Sequence, residues 1–359
     1  MWSKLARVAA AAAFALIPAF VPPTSPAAAA SGVGLSAPTV LGPAAQGQDV
    51  CPEPNDTFQA ACYLGPGSDA LGFISQPNDT DAYRIEVLDF NTDVHVEMPS
   101  MPAAYRIELA NWNGDVLATS VRVGSGEIID TTVDLPGVYY IFVESASGGS
   151  SASQPYNIFR SLTYPGASIP DRIVAADFRQ GAGVSAEGET QTAIHKEDGG
   201  KYTIQMKVAG EPNNPEPPES WWTGLNPELT DFTLTVDTRV VNNVQAGISV
   251  FFRHLDDRNT YQVGVDSASG AVQLWKIQDG EVTGTGWQSS AAIDISGGVN
   301  RIVIRAFEDN IRVNVNGEDL IDVNDGTFRQ GRYGVGAIAY GPPPVVSFDN
   351  LIITTPTEG

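Results

Sequence analysis

Short segments in which apolar and polar residues alternate constrain the fold of this chain more than any other feature. Tyr83, Ile85 and Val87 alternate with polar neighbours, and the same period of two recurs in 232–236 and 261–265. Successive side chains of a β-strand point to opposite faces of the sheet, so this period predicts strands with one buried face. No helical period of useful length is present. The chain is therefore predicted to be all-β.

The strand segments fall into two groups, which predicts two antiparallel β-sandwich domains, the second a jelly roll. In the first group, Gly137–Val143 is predicted to be a central strand buried on both faces, and Asn113-Gly114 is a hairpin signal. In the second group, Asn316-Gly317 is a second hairpin signal. The predicted boundaries are 51–163 for the first domain, 164–170 for a Pro/Gly/Ser-rich linker and 171–356 for the second domain.

The N-terminus has the features of a cleavable signal peptide. Lys4 and Arg7 precede an unbroken apolar stretch over 8–21, and the small-residue run Ala27–Ala30 follows. Signal peptidase recognises this order. The alternative is a retained membrane anchor, which requires a span of ~20 residues, and the apolar stretch is shorter than that. We therefore predict a signal peptide over 1–30 and a secreted, extracellular protein without a membrane span. Residues 31–50 are predicted to be a flexible linker.

The charge of the chain excludes some partners. The formal net charge is −22, and removal of Lys4 and Arg7 with the signal peptide makes it −24 (−22 minus 2). A surface of this charge repels nucleic acid and acidic membranes. It is compatible with cations, with neutral glycans, or with solubility alone.

Two cysteines, Cys51 and Cys62, are predicted to form a disulfide. They lie eleven positions apart in one polar segment. An isolated pair in an oxidising compartment usually forms a disulfide, and closing so short a loop contributes roughly 3 kcal/mol. A metal site is disfavoured because the nearest histidine, His95, is distant in the sequence.

The first group of strands resembles the bacterial pre-peptidase C-terminal domain. The segments that carry the resemblance are Glu53–Ala61, Gly72–Ile74, Asp79–Ile85 and Gly137–Val143, at similar spacing and within about residues 51–162. The two cysteines are not part of that pattern. The resemblance implies a β-sandwich accessory domain of the kind commonly attached to secreted peptidases.

Some related collagen-binding modules hold calcium, so the resemblance also implies a metal site. The matching oxygen ligands are Glu53, Asn55, Asp56, Asp79 and Asp81. Calcium takes six to eight hard oxygen ligands, which two short Asp/Asn-rich segments can supply. The alternative is that these residues serve turns, for which Asn and Asp are favoured.

The second group resembles the concanavalin A-like lectin and glucanase superfamily, and within it the domains grouped with 3-keto-disaccharide hydrolases and laminin-G-like modules. The segments that carry this resemblance are Asp231–Asp237, Gly247–Arg253, Thr260–Val263, Ile311–Gly317, Gly334–Gly336 and Phe348–Leu351. Such folds host both lectins and hydrolases, so the fold does not decide the function.

The sequence favours binding without catalysis. The glucanase signature Glu-x-Asp-x-x-Glu is absent, and Tyr261-Gln262 stands where the keto-disaccharide relatives tend to have Tyr-Glu. One alternative is a glycoside hydrolase with an atypical carboxylate pair drawn from Asp237, Glu219 and Asp266. Another is a structural or adhesive module that binds protein.

Tryptophans point to a polysaccharide or other glycan as the partner. The Pro-rich segment Gly210–Leu225 contains Trp221 and Trp222, and exposed indoles in loops make stacking platforms for sugars. Trp275 and Arg253 complete the predicted site. The alternative is that one or both loop tryptophans cover the edge of the sandwich as part of its core.

Overall fold

We describe the protein from a computed structural model. It describes residues 51–356 apart from 66–68, 167–168, 177, 179–186, 212–216 and 224–226. The predicted signal peptide and the linker 31–50 lie outside the described residues, as do parts of the 164–170 linker and of the Gly210–Leu225 segment.

The first sandwich consists of two five-stranded sheets. Its strands are β1 (Cys62–Tyr63), β2 (Asp69–Gly72), β3 (Thr80–Val87), β4 (Thr92–Met98), β5 (Tyr105–Ala110), β6 (Val116–Thr119), β7 (Val121–Val123), β8 (Gly126–Val133), β9 (Gly137–Ser145) and β10 (Tyr156–Thr163). Sheet A has the order β1-β3-β9-β5-β6, and sheet B has the order β2-β10-β4-β8-β7. Strand β9 lies between β3 and β5 and is mostly buried, which confirms the predicted central strand.

The second sandwich is larger. Its strands are β11 (Arg172–Ala176), β12 (Gly188–Glu189), β13 (Ala193–Asp198), β14 (Lys201–Met206), β15 (Glu219–Thr223), β16 (Phe232–Val240), β17 (Ala246–Asp256), β18 (Asn259–Asp266), β19 (Ala271–Gln278), β20 (Glu281–Gly284), β21 (Gln288–Ser289), β22 (Asn300–Phe307), β23 (Asn310–Val315), β24 (Glu318–Asn324), β25 (Arg332–Ala339) and β26 (Val345–Thr354). Sheet C has the order β12-β13-β14-β26-β16-β22-β23-β24, with β11 on β26. Sheet D has the order β15-β25-β17-β18-β19-β20, with β21 on β19.

Each sandwich encloses its own apolar core, built from the inward residues of its two sheets. Among the described strands, pairing is antiparallel except between β1 and β3. The Asn316-Gly317 turn joins β23 to β24 with φ of 51° and 97°, as a two-residue hairpin requires. The fold is thus all-β with two sandwiches, the second a jelly roll, as predicted. The described residues contain no helix that could span a membrane.

A buried ion pair lies where the two sandwiches meet. Arg301 of β22 faces Asp237 of β16, and its Nε and Nη2 atoms donate to the two Asp237 carboxylate oxygens at 2.7 and 2.9 Å. Arg301 Nη2 also donates to the carbonyl of Val138 in the first sandwich at 2.9 Å. The guanidinium carbon lies 3.8 Å from the ring centre of Trp112. Both charged side chains are almost fully buried, at 0 and 3% exposure, so each depends on the other for compensation.

Gly137 makes this close approach between the sandwiches possible. Its φ is +134°, and a Cβ at this position would lie 2.4 Å from the Arg301 guanidinium. Glycine is therefore needed here for two reasons: the backbone has a positive φ, and a side chain would collide with Arg301. An apolar cluster of Ala61, Ala82, Val138, Tyr140 and Ile352, drawn from both sandwiches, includes Val138, whose carbonyl accepts from Arg301. The two sandwiches consequently share a packed interface.

Candidate functional site

Sheet D turns one face to the core and the other outward. Residues directly opposite one another on antiparallel strands share a face. One outward row runs from Trp221 through Gly336 and Ser249 to Gly264. The next outward row contains Gly334, Phe251, Gln262 and Trp275. These two rows, with Glu219 at the end of β15, are called the outer face of sheet D below.

Glycines let the tryptophans of this face lie against the sheet. A Cβ on Gly264 would lie 2.1 Å from the Trp275 indole, and a Cβ on Gly336 would lie 2.9 Å from the Cβ of Trp221. The Trp221 ring packs beside Phe251 at 5.5 Å between ring centres. Both indoles are partly exposed. Glycine within a strand often marks a place where another group approaches the backbone closely, and here that group is an aromatic ring.

Hydrogen-bonding side chains share the outer face with the two indoles. Gln262 Nε2 donates to Glu219 Oε1 and to Ser249 Oγ, in each case at 2.9 Å, and Ser249 Oγ lies 3.3 Å from Glu219 Oε1. The array combines a carboxylate, an amide and a hydroxyl. Ser249 and Gln262 are buried, at 0 and 3% exposure, so of the three groups only the Glu219 carboxylate is partly accessible from outside.

Trp222 and Arg253 do not lie on this face. Both Trp221 and Trp222 belong to strand β15 rather than to a loop, so their side chains point to opposite faces. Trp222 is 7% exposed and packs in the core near Tyr202 and Tyr333. Arg253 is fully buried. Its guanidinium donates to the carbonyls of Thr230 and Phe328 and to Asp231, so it holds two loops in place.

The structure separates the three carboxylates considered for an atypical hydrolase. Asp237 lies in sheet C and pairs with Arg301. Glu219 and Asp266 lie in sheet D, in one row but three strand spacings apart through Ile338 and Gly247. Three spacings put their Cα atoms roughly 14 Å apart. A retaining glycosidase needs its carboxyl groups about 5–5.5 Å apart.

In the first sandwich, three of the five predicted calcium ligands come together. Glu53, Asp56 and Asp79 each offer a carboxylate oxygen, and these oxygens all lie within 4.8 Å of one another. The Asp79 carboxylate also accepts from the backbone N–H and the hydroxyl of Ser75. A group of three acidic residues therefore exists that could hold a metal ion.

Asn55 and Asp81 are buried beside these carboxylates and bond to each other. Asn55 Nδ2 donates to Asp81 Oδ1 at 2.8 Å, and the Tyr156 hydroxyl donates to Asp81 Oδ2 at 2.5 Å. Burial raises the pKa of Asp81 to about 7, although these two hydrogen bonds act in the opposite direction. The buried Asn55 Oδ1 has no hydrogen-bond partner among the described residues.

This donor set fits a calcium ion in its chemistry. Carboxylate and amide oxygens are the hard ligands that calcium prefers, and an unpaired buried amide oxygen is an atom that a cation would satisfy. Glu53, Asp56, Asp79 and Asn55 Oδ1 are the atoms that would hold it.

The Cys51–Cys62 disulfide is confirmed, with 5.6 Å between the Cα atoms. It closes the loop that carries Glu53 and Asp56. Phe58, in the same loop, packs edge-on against Tyr140 and Phe142 of β9. The loop is therefore tied to sheet A by a covalent bond at its ends and by aromatic contacts in its middle.

Sequence reasoning missed the outer-face roles of Gly264, Gly336 and Gln262. Their signal was present, because a glycine inside an alternating strand indicates a close approach to the backbone. Gln262 was considered only because it stands where the keto-disaccharide relatives tend to have a glutamate. Its position in a buried strand beside Glu219 becomes apparent only once β15 and β18 are placed in one sheet.

No family model and no curated protein matches this chain. Among solved structures, the carbohydrate binding module CBM66 from Bacillus subtilis is similar at 19% identity and a TM-score of 0.35, over 42% of this chain and 86% of that chain. The pre-peptidase C-terminal domain of collagenase from Bacillus anthracis is similar at 16% identity and a TM-score of 0.24, over 29% and 94%. A β-glucanase from Bacillus licheniformis is similar at 11% identity and a TM-score of 0.38, over 53% and 99%. Likenesses this low carry no argument about function, which is therefore drawn from the residues themselves.

Proposed function

We propose that this chain is a secreted protein that binds an extracellular or cell-envelope polysaccharide, without catalysis, through the outer face of sheet D. The observation that carries the proposal is the pair of partly exposed indoles, Trp221 and Trp275, which lie against glycines of the sheet. The same face carries the hydrogen-bonded Glu219–Gln262–Ser249 array. The indoles supply stacking surface, and the partly accessible Glu219 carboxylate, held by the buried Gln262 and Ser249, supplies a hydrogen-bond acceptor for orientation. The wide separation of Glu219 from Asp266 supports binding rather than hydrolysis.

A glycan array probed with the chain lacking residues 1–30 tests this function. We expect reproducible binding, and we expect Trp221→Ala and Trp275→Ala each to weaken it by ~30-fold, which corresponds to about 2 kcal/mol for a tryptophan hot spot. Tyr63→Ala is the matched control, because Tyr63 is an exposed aromatic residue of the first sandwich. A clean negative from the folded protein would overturn glycan binding and favour the protein-binding module instead.

The Gly264→Ala variant tests the arrangement of the face without removing an aromatic ring. The added methyl group would overlap the Trp275 indole, so the ring must move and binding should fall. Wild-type affinity in this variant, measured by isothermal titration with the best glycan of the array, would show that the position of Trp275 is unimportant.

We further propose that the first sandwich is an accessory domain stabilised by calcium. The support is the cluster of Glu53, Asp56 and Asp79 beside the unpaired Asn55 Oδ1. A ligand that binds only the folded state stabilises it by about 2.7 kcal/mol at a concentration of 100 Kd.

Thermal unfolding measured in calcium and in chelator tests the accessory role. We expect a higher midpoint in calcium and no difference in the double variant Asp56→Asn/Asp79→Asn. Asp134→Asn, an exposed acid elsewhere in the same sandwich, should keep the calcium response. If the wild-type midpoint is the same in both conditions, the three carboxylates do not form a calcium site.

A further inference from the structure

A hydrogen-bonded chain of three side chains links sheet C to sheet D near the edge of the second sandwich at which β12 and β15 lie. His195 Nδ1, on β13, lies 2.8 Å from the Tyr202 hydroxyl of β14 in the same sheet. His195 Nε2 lies 2.8 Å from the Ser220 hydroxyl of β15, in the other sheet. Both ring nitrogens are therefore used, and one of the two bonds crosses between the sheets.

The bond to Ser220 matters because β15 also carries Trp221. Strand β15 is the edge strand of sheet D, and its alternation turns Trp221 outward while Ser220 and Trp222 turn inward. Ser220 is held by His195, and the Trp222 ring packs beside Tyr202 at 5.6 Å between ring centres. The two chain neighbours of Trp221 are thus both anchored to sheet C, one by a hydrogen bond and the other by packing.

The environment of His195 suits a neutral ring and opposes a charged one. A neutral imidazole has one N–H donor and one acceptor, and a hydroxyl can fill either role, so both bonds form with either tautomer. A protonated ring donates from both nitrogens, so the hydroxyl that had been donating needs a new acceptor. Among the described residues no carboxylate pairs with this ring, so the added charge would be buried without compensation.

The titratable groups around His195 do not offset that charge. Burial, and then Glu197 of β13 and Glu187 before β12, raise the pKa of Tyr202, so its hydroxyl keeps its proton. Strand β12 places a glycine opposite His195, and Glu219 of β15 lies on the outer face. Burial lowers the pKa of His195, and among the described residues no neighbouring charge opposes this shift.

Acid therefore weakens the link between the two sheets. A histidine with a lowered pKa takes up its proton more readily once it is exposed than while it is buried. The link is consequently intact above the ordinary histidine pKa of about 6.5, and it is lost as the pH falls below that value towards the lower pKa of the buried ring. Strand β15 is then held by its pairing with β25 and by Trp222, so Trp221 loses one of its two anchors.

We propose that His195 is a positioning residue for the outer face of sheet D, because it fixes Trp221 through Ser220 and releases it on taking up a proton. At 8 and 7% exposure, His195 and Ser220 act on the glycan only through Trp221. The inference rests on the function proposed for this face and adds its regulation, namely glycan bound near neutral pH and released in acid. Trp275 lies four strands away from β15, beyond the reach of this link.

The first test follows the indole N–H of Trp221 by ¹H–¹⁵N NMR, without glycan, from about pH 7.5 to about pH 5.5. The chain without residues 1–30 is used, the Trp221 peak is the one lost in Trp221→Phe, and the Trp275 peak is the internal reference. We expect the Trp221 peak to shift in acid in the wild type but not in His195→Gln, because glutamine offers a donor and an acceptor without titrating. Ser220→Ala should show the acid position of the peak already at the higher pH.

His254 requires a separate control, because its ring centre lies 5.5 Å from that of Trp221. His254→Gln should keep the pH response of the Trp221 peak. Thermal unfolding at the higher pH confirms that each variant is folded. The positioning role is overturned if the Trp221 peak does not respond to pH, or if it responds equally in His195→Gln.

The second test reads the glycan array at the same two pH values. Binding by the wild type should fall in acid, by no more than the ~30-fold expected for Trp221→Ala, and binding by His195→Gln should not fall. Equal wild-type binding at both pH values overturns the regulation of this face by His195. A blank array at both defeats the proposed glycan function and its regulation together. The NMR titration needs no glycan, so a failure of positioning is told apart from a failure of the proposed function.

Discussion

Replacing Arg301 with methionine should lower the free energy of unfolding by about 3–5 kcal/mol, because it leaves Asp237 as a buried charge without its partner. The variant also gives up the hydrogen bond to the Val138 carbonyl and the stacking on Trp112. Urea unfolding of the chain without residues 1–30, followed by tryptophan fluorescence and circular dichroism, measures the loss.

Arg312→Met is the matched control for this prediction. Arg312 of β23 pairs with Asp322 of β24, in the same sheet as β22, but the two side chains are 48 and 56% exposed. Exposed ion pairs contribute about 0–1 kcal/mol, so this variant should remain close to wild type. The double variant Arg301→Met/Asp237→Leu should recover much of the lost stability, because it removes both charges. Equal losses of unfolding free energy in the Arg301 and Arg312 variants would contradict a stabilising role for the buried Arg301–Asp237 pair between the sandwiches.

Replacing both cysteines with serine should cost roughly 3 kcal/mol of stability in the chain-entropy model. The bond joins two residues separated by 11 positions, and Cys51 is completely buried. The proposed calcium response of the unfolding midpoint should weaken as well, because the loop that carries Glu53 and Asp56 loses its covalent closure. Differential scanning calorimetry with and without calcium measures both effects.

Reduction of the wild-type protein provides the control for the serine variant. The chain has no cysteines other than Cys51 and Cys62, so a reducing agent acts on this bond alone. Reduced wild type and the Cys51→Ser/Cys62→Ser variant should unfold at the same midpoint. If reduction leaves the midpoint unchanged, the disulfide does not stabilise the fold.

The strands and hairpins were predictable from sequence because they depend on local chemistry. The period of two marks buried faces, and Asn316-Gly317 supplies the positive φ angles that a tight hairpin needs. The same rule, applied to β15, would have separated Trp221 from Trp222, since neighbours in a strand face opposite ways. The prolines that precede them suggested a loop, and this concealed the alternation.

The contact between the sandwiches was not predictable, because its partners are distant in sequence. Arg301 Nη2 meets the Val138 carbonyl 163 positions away. Arg253 resembled Arg301 as an arginine within an apolar strand, yet only the fold shows that one supports loops and the other meets the first sandwich. Likewise, Asn55 and Asp81 matched a ligand pattern, but their mutual hydrogen bond is a property of the packed loop.

The fit of Gly137 against Arg301 has a consequence for how such a chain can be recombined. β-Sandwich domains are commonly treated as interchangeable modules that can be moved from one host protein to another. Here, cutting the chain between the sandwiches would expose an aspartate–arginine pair that is buried in the intact chain on one piece, and an aromatic surface on the other. A new partner would have to supply both a carbonyl and a glycine at the matching place. We therefore expect the two halves to be inherited and engineered as one unit.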